Sequence, residues 1–154
     1  MTKVVVRIDE LTGNNILELL NQHRQEMLKH SPPESVHALK AGDLRRPEIQ
    51  FWSAWIGQNF AGCGALKELS SVHGEIKSMK TKDEYLRKGV ARALLNKIVD
   101  EGRIRNYEQL SLETGSMGVF IPARRLYRAF GFKQCAPFAD YFEDPNSTCM
   151  SLKL

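Results

Sequence analysis

A chain of 154 residues that is 42% hydrophobic and 26% charged has the length and composition of one folded domain, residues 1–154, which argues against disordered and fibrous proteins. Its net charge of +4 leaves three uses open, because a mildly basic surface can serve a nucleic acid, a phosphorylated cofactor or only solubility. Apolar stretches such as residues 51–56 are far shorter than a membrane span. The opening MTKVVVRIDE lacks the apolar core and cleavage site of an export signal. We therefore expect a cytoplasmic protein with no membrane partner.

The first half of the chain predicts one strand, one helix and then three more strands. KVVVRI predicts a strand because its β-branched residues are consecutive, and residues 13–29 predict a helix because their apolar residues fall on one stripe. HSPPES ends that helix, and a short helix is expected from Ser35. IQFWSAWI, FAGCGALKEL and VHGEIKSMKT then predict three successive strands in an antiparallel meander, with a turn at residues 57–59.

The second half predicts two helices with a strand between them and a strand at the end. Residues 88–102 carry apolar side chains at helical spacing, and QLSLET returns to the alternation of a strand, so we expect a right-handed crossover between parallel neighbours. Pro122 suits the first turn of a further helix and Gly131 its C-terminal cap, and TCMSLKL predicts the final strand. The elements together predict an α/β fold: a mixed, mostly antiparallel sheet of six or seven strands with about four helices on its faces.

YLRKGVARALL, residues 85–95, places positive charge and a glycine where the first of these two helices begins. The first N–H groups of a helix lack internal acceptors and the helix dipole is positive at that end, so this end can hold an anion. Gly89 permits a close approach, and the added charge of Arg87, Lys88 and Arg92 suits a diphosphate. The alternative is an ordinary solvated helix start. The sequence contains no G-x-x-x-x-G-K-[ST] loop, and a dinucleotide fingerprint is missing because Gly89 is the only glycine in this loop.

Two linked motifs resemble the signatures of one protein family. LRKGVA resembles the [QR]-x-x-G-x-[GA] loop of the GNAT superfamily of acetyl-CoA-dependent N-acetyltransferases, and it stands between a predicted strand and a predicted helix, as that family requires. IPARRLYRAFGF is similar to the family's second signature, A-x-x-L-Y-x-x-x-G-F, and follows the LSLETG strand. The segment GEIKSMKT and the ending DYFEDPNSTCMSLKL resemble a bacterial branch of small, mostly uncharacterised members. One position departs from the pattern, since Leu86 stands where the family has Gln or Arg.

The resemblance implies a V-shaped gap between a splayed parallel pair of strands at the centre of the sheet, here GEIKSMKT and QLSLET, where pantetheine lies like an added strand. It implies acetyl-CoA as the co-substrate and no metal, and the four histidines indeed show no metal-ligand spacing. The backbones of Met79 and Thr81 would pair with the pantetheine amides, and residues 87–92 would hold the pyrophosphate. The cofactor-binding residues expected on this basis are Met79, Lys80, Thr81, Arg87, Lys88, Gly89, Val90, Ala91 and Arg92.

The reaction also needs a base, because an alkyl ammonium with an ordinary pKa is almost entirely protonated at neutral pH. Glu75 stands fourteen positions before Gly89, and the histone-modifying members of the family carry their glutamate base at that offset. On a regular strand Glu75 would share one face with Lys77, Met79 and Thr81. The alternative role for Glu75 is an ion pair with Lys77 or another basic residue. Glu113, at the end of the next strand, is the substitute base or a binding group for a cationic substrate.

Tyr127 lies at the tyrosine of the second signature, and the resemblance implies that it protonates the departing thiolate of CoA. The alternative is a core tyrosine, because neighbouring positions on its helical face are apolar. Both interpretations stay open at this point.

The acceptor is expected to be a primary amine of a small molecule or peptide, acetylated directly in a ternary complex. By analogy with the family, residues 20–49 would build the acceptor pocket, and a homodimer through the late strands is a further expectation.

A non-catalytic protein that binds or senses acyl-CoA stays open as an alternative. A nucleic-acid-binding module is disfavoured, because the basic residues form no recognisable reading helix and are not interleaved with aromatic residues. The widely spaced Cys63, Cys135 and Cys149 are expected to be free, buried thiols.

Overall fold

In the computed structural model, which describes residues 3–35 and 45–154, seven strands form one mixed sheet in the order β1-β2-β3-β4-β5-β7-β6. The strands are β1 (Val5–Ile8), β2 (Ile49–Ile56), β3 (Asn59–Ser70), β4 (His73–Thr81), β5 (Gln109–Gly115), β6 (Lys133–Cys135) and β7 (Ser147–Lys153). The helices of the described residues are α1 (Asn14–His30), α2 (Val90–Ile104) and α3 (Ile121–Ala129), with single 3₁₀ turns at Pro33–Ser35, Asp83–Tyr85 and Gly118–Phe120.

The sheet topology follows the predicted order of elements. Strands β1 to β4 pair antiparallel as a meander, and α2 carries the chain across to β5, which pairs parallel with β4. Strands β7 and β6 then add antiparallel beyond β5. The prediction of a mixed, mostly antiparallel sheet with a parallel pair at its centre is therefore confirmed.

The number of helices differs slightly from the expected four. The described residues contain three α-helices, and the helix expected from Ser35 coincides there only with the 3₁₀ turn Pro33–Ser35. The rest of its span, residues 36–44, lies outside the described residues.

The parallel pair separates partway along its length. Strand β4 pairs with β5 from His73, opposite Gln109, to Ile76, opposite Leu112. Beyond that point β4 continues along β3, and β5 continues along β7, without further pairing between the two strands, both of which are described in full. A gap thus opens between their C-terminal ends.

A bulge interrupts β4 just beyond the last pair with β5. Ala65 of β3 pairs with Lys77, and Cys63 pairs with Lys80, so two residues of β4 stand opposite one residue of β3. Ser78, within the bulge, has a left-handed φ of 56°. The side-chain alternation of β4 therefore shifts by one position at Ser78.

This shift corrects the expectation that Glu75, Lys77, Met79 and Thr81 share one face. Met79 packs against the hydrophobic cluster that contains α2, and its sulfur lies 2.6 Å from the position that a Cβ on Gly64 would take on that side. Lys77 instead pairs with Ala65, whose side chain belongs to the cluster beneath α1. The side chains of Lys77 and Met79 therefore lie on opposite faces of β4, Lys77 on the α1 face and Met79 on the α2 face.

Each face of the sheet carries its own hydrophobic cluster. The larger one joins α2 and α3 to the sheet through fully buried residues such as Leu94, Ile98 and Leu110. The smaller one joins α1 to β2 and β3 through Leu19 and Phe51. Among residues 3–35 and 45–154, no helix combines the length and apolar character that a bilayer crossing requires.

Candidate active site

A cavity of about 510 Å³ lies at the end of β4, between the C-terminal half of α1, the loop before α2, and α3. Because its walls come from the ends of both predicted signature segments, the fold brings these distant stretches of sequence to one place. Lys88 is not among the lining residues. The other eight predicted cofactor residues all line the cavity: Met79, Lys80, Thr81, Arg87, Gly89, Val90, Ala91 and Arg92.

The start of α2 provides hydrogen-bond donors at one end of this cavity. Gly89 is the N-cap, with a left-handed φ of 83° that favours glycine, and no side chain caps the helix. A Cβ at Gly89 would meet no atom within 4 Å, so the space beside this residue is open, and no side chain caps the first N–H groups of α2. Arg87 and Arg92 add positive charge to the same wall. Donors, charge and space together fit a diphosphate.

The wall contributed by α1 falls within residues 20–49, the segment expected to build the acceptor pocket, although none of its residues was predicted individually as a site residue. His23, Glu26, Met27 and His30 line the cavity, and Glu26 Oε2 accepts a 2.9 Å hydrogen bond from Lys80 Nζ. This bond, with the Lys80 charge, lowers the pKa of Glu26. One signal in the sequence could have indicated this wall, because His23 is polar and stands on an otherwise apolar helical stripe.

His23 is neutral in the folded protein at neutral pH. Burial lowers its pKa to about 4, and the charge of Lys80 acts in the same direction, while that of Glu26 opposes it. The cavity therefore presents an uncharged imidazole on its α1 wall.

Tyr127 projects from α3 into the cavity lining, and it also belongs to the α2-side hydrophobic cluster. Its ring makes an edge contact with Phe132, with 5.9 Å between ring centroids. Burial raises the pKa of Tyr127, and the charge of Glu113 raises it further. The hydroxyl is therefore protonated at neutral pH and able to donate a proton, so the two roles considered for Tyr127 are compatible.

Glu75 lies on the α1 face of β4 and is only 2% exposed. Its Oε2 accepts hydrogen bonds from the Tyr141 hydroxyl at 2.5 Å and from Lys77 Nζ at 3.1 Å, and Lys77 Nζ also donates to the Tyr141 oxygen at 2.9 Å. We refer to these three residues as the Glu75 triad. Glu75 does not line the cavity. Tyr141 was missed by sequence reasoning because it sits in an irregular segment with no periodic pattern.

Glu113 lies on β5 directly after the last residue that pairs with β4. Its Oε2 accepts a 2.7 Å hydrogen bond from Ser147 Oγ. Burial raises the pKa of Glu113, the Ser147 bond and the Lys77 charge oppose this, and the charge of Glu75 adds to it. The charge of Glu113 thus raises the pKa of Tyr127, and the charges of Glu75 and Lys77 in turn affect the pKa of Glu113.

Within residues 3–35 and 45–154, no group of three or more histidine, cysteine, aspartate or glutamate side chains could hold a metal ion. Residues 36–44, part of the segment expected to build the acceptor pocket, lie outside the described residues.

Comparison with known proteins places these features in a family. The sequence matches the Acetyltransferase (GNAT) family over residues 14–132. It is 59% identical over 149 residues to an uncharacterized N-acetyltransferase, YsnE, of Bacillus subtilis (strain 168), covering 97% of this chain and 99% of the relative. It is 46% identical over 149 residues to the uncharacterized N-acetyltransferase YedL of Escherichia coli (strain K12), covering 97% of this chain and 94% of the relative.

A solved structure has the same fold. It is that of a Bacillus subtilis acetyltransferase in complex with CoA, with a TM-score of 0.71, 20% sequence identity and coverage of 99% of both chains. The two signature motifs, the splayed central strands and these relatives agree: the chain belongs to the GNAT family of acetyltransferases, and is an acyltransferase.

Proposed function

We propose that this protein transfers the acetyl group of acetyl-CoA directly to a primary amine of a small molecule or peptide, while both substrates are bound. The observation that carries the proposal is the cavity that extends from the start of α2 to Tyr127. It has anion-binding donors at one end and a protonated hydroxyl in its wall. The CoA bound in the Bacillus subtilis structure of the same fold supports the choice of ligand.

The cofactor half of the site uses two kinds of contact. The first N–H groups of α2, together with Arg87 and Arg92, hold the pyrophosphate, whereas Lys88 lies outside the cavity lining. The backbones of Met79 and Thr81 pair with the pantetheine amides, because the bulge and the gap leave this end of β4 without pairing to β5. Acetyl-CoA supplies an activated thioester carbonyl, and the protein supplies position and proton transfer.

Tyr127 donates a proton to the thiolate that leaves. Its hydroxyl is suited to this, because burial raises its pKa and keeps it protonated at neutral pH. A thiolate is already a fair leaving group, so this step contributes near the low end of the roughly 10²- to 10⁴-fold that is typical of acid catalysis.

The acceptor amine must also be held and lose a proton, and we assign these two steps to groups other than Tyr127. We assign Glu113 to hold the ammonium, because it follows the last paired residue of β5. We assign Glu75 as the proton acceptor, acting through Tyr141, whose hydroxyl already donates to Glu75 Oε2. In this relay the Tyr141 oxygen receives the amine proton as its own proton passes to Glu75.

An array of amines tests the proposal, with the release of CoA thiol as the readout. Acetyl-CoA should support thiol release with at least one primary amine at a rate above its hydrolysis, and longer acyl-CoAs define the acyl preference. Calorimetry with CoA provides the control for binding. Tight CoA binding without thiol release from any amine would favour the acyl-CoA-sensing alternative and contradict the proposed transfer.

A further inference from the structure

Two of the three cysteines are direct neighbours across adjacent strands. Cys135 of β6 pairs with Cys149 of β7 in an antiparallel register. Direct antiparallel partners project their side chains on the same face, with Cα atoms roughly 4.5–5.5 Å apart. A disulfide needs Cα atoms roughly 4.4–6.8 Å apart, so this pair satisfies the spacing with little movement of the backbone.

The three thiols differ in their surroundings. Cys135 is half-buried, Cys149 is 7% exposed, and Cys63 is completely buried. Cys63 donates its S–H to the Ser78 carbonyl, and burial raises its pKa to about 12. Burial also raises the pKa of Cys149, to about 11. Cys135 is therefore the thiol that a solvent-borne oxidant meets first, and Cys63 serves as an internal reference that does not react.

We propose that Cys135 and Cys149 form an oxidation site, in which a peroxide converts the two thiols into an intramolecular disulfide. Hydrogen peroxide first oxidises the sulfur of Cys135 to a sulfenic acid and is itself reduced, with loss of one water. The Cys149 sulfur then attacks the Cys135 sulfur, the S–S bond forms, and the sulfenic oxygen leaves as a second water that carries the Cys149 proton. Both sulfurs end oxidised, and the peroxide accounts for both electrons.

The bond would lie on the acceptor side of the site. Cys149 is also the β5–β7 partner of Glu113. The segment that the disulfide closes carries Phe138, which contacts the ring of His73, and Tyr141, which binds Glu75. Neither cysteine lines the cofactor cavity. Oxidation therefore restrains the segment between Cys135 and Cys149, which packs on the proposed acceptor side. The residues that line the cofactor cavity stay in place.

Peptide mapping tests the inference without any assay of acetyl transfer. The protein is exposed to hydrogen peroxide, its remaining thiols are alkylated under denaturing conditions, and the digest is analysed by mass spectrometry. The expected product is a linked Cys135–Cys149 peptide pair, lighter by two hydrogen atoms than the reduced pair, with Cys63 alkylated. Cys135→Ser should abolish this product. A covalent dimer, or Cys135 oxidised to sulfinic acid beside an alkylated Cys149, would overturn the proposal.

Thermal unfolding tests whether the bond fits the native geometry. A disulfide that closes a loop without strain should raise the unfolding midpoint of the oxidised protein by roughly 5 °C. Dithiothreitol should reverse the rise, and peroxide should leave the midpoint of Cys135→Ser unchanged. A midpoint that is unchanged or lower in the cross-linked protein would show that the bond strains the sheet, and the inference would then fail.

Discussion

The Tyr141 hydroxyl donates a 2.5 Å hydrogen bond to Glu75 Oε2, which links the segment between β6 and β7 to the centre of the sheet. Lys77 Nζ contacts both groups, so the carboxylate holds two donors on one oxygen. Because Glu75 is buried and lies outside the cavity lining, any proton that it accepts must pass through a neighbour. Tyr141, which like Glu75 is not among the residues that line the cavity, is the neighbour whose hydroxyl would make the proposed transfer.

Glu75→Gln should therefore lower kcat by roughly 100-fold, in the range typical of lost general base catalysis. Tyr141→Phe should have a comparable effect, because it breaks the same relay. The double variant should be little worse than either single variant, since the two residues act as a unit. Steady-state kinetics with an accepted amine measure all three, and additive losses would contradict the relay.

Glu113→Gln provides the matched control on the neighbouring strand. A hydrogen bond between charged groups contributes about 1.5–3 kcal/mol, so loss of the carboxylate should raise the acceptor KM by roughly 10- to 100-fold with a smaller change in kcat. Burial raises the pKa of Glu113, with Glu75 and Asp144 adding to the shift and Ser147 and Lys77 opposing it. The acceptor KM of the wild type should therefore rise as the pH falls through that raised pKa. In Glu113→Gln the acceptor KM should not show this pH dependence. If kcat collapses in Glu113→Gln and survives in Glu75→Gln, the base is Glu113.

Tyr127→Phe should lower kcat by roughly 10- to 100-fold, because it removes the proton donor for the leaving thiolate. The affinity for acetyl-CoA should change by less than about twofold, since the ring and its contact with Phe132 remain. Tyr85→Phe is the control, because Tyr85 lines the same cavity but lies outside the second signature motif. Turnover that is unchanged in Tyr127→Phe would leave this tyrosine with a packing role alone.

Gly89 and Gly57 form a matched pair for a test of the phosphate site. Both have a left-handed φ, 83° and 60°, and a Cβ at either position would meet no atom within 4 Å. Alanine at either position should therefore cost a similar amount of stability, roughly 1–2 kcal/mol. Gly89→Ala should also weaken CoA binding by roughly tenfold, or about 1.4 kcal/mol, because it adds a methyl group at the N-cap of α2, beside the proposed phosphate site.

Substitution of the same two glycines by glutamate tests the phosphate site with a charge. Gly89→Glu places a negative charge where the diphosphate is held, and should weaken CoA binding more than Gly89→Ala does. Gly57→Glu, in the turn between β2 and β3, should bind CoA as the wild type does. Calorimetry gives the dissociation constants and urea unfolding gives the stabilities. Equal CoA affinities in the Gly89 and Gly57 variants would contradict a phosphate site at the start of α2.

The sequence predicts the regular elements well because each has enough residues for its period to be visible. IQFWSAWI coincides with β2, and the helix predicted at residues 13–29 differs from α1 by one residue at each end. Strand β6 was missed because its three residues, Lys133–Cys135, are too few to show alternation. Eight of the nine predicted cofactor residues line one cavity because they come from two short runs of sequence, at the end of β4 and at the start of α2.

The acceptor side could not be predicted because it depends on contacts between distant residues. The bulge at Ser78 changes which side chains of β4 share a face, and serine gives no sign of a left-handed backbone. Tyr141 reaches Glu75 across 66 positions of sequence, from a segment without periodicity. The buried carboxylate and its donor are therefore visible only in the folded chain.

His23 should make the stability of the protein depend on pH. Burial lowers the pKa of His23 to about 4 in the folded protein, below its ordinary value of 6.5, so between these values the unfolded chain binds a proton that the folded chain does not. The free energy of unfolding is therefore almost unaffected above about pH 7.5, and it decreases as the pH falls, by roughly 2 kcal/mol at about pH 5. Urea unfolding at pH 7.5 and pH 5 should therefore show a smaller drop for His23→Gln than for the wild type. His30→Gln, at the exposed end of α1, is the control and should follow the wild type. Equal drops in the wild type and His23→Gln would mean that His23 is protonated in the folded cavity as readily as in the unfolded chain.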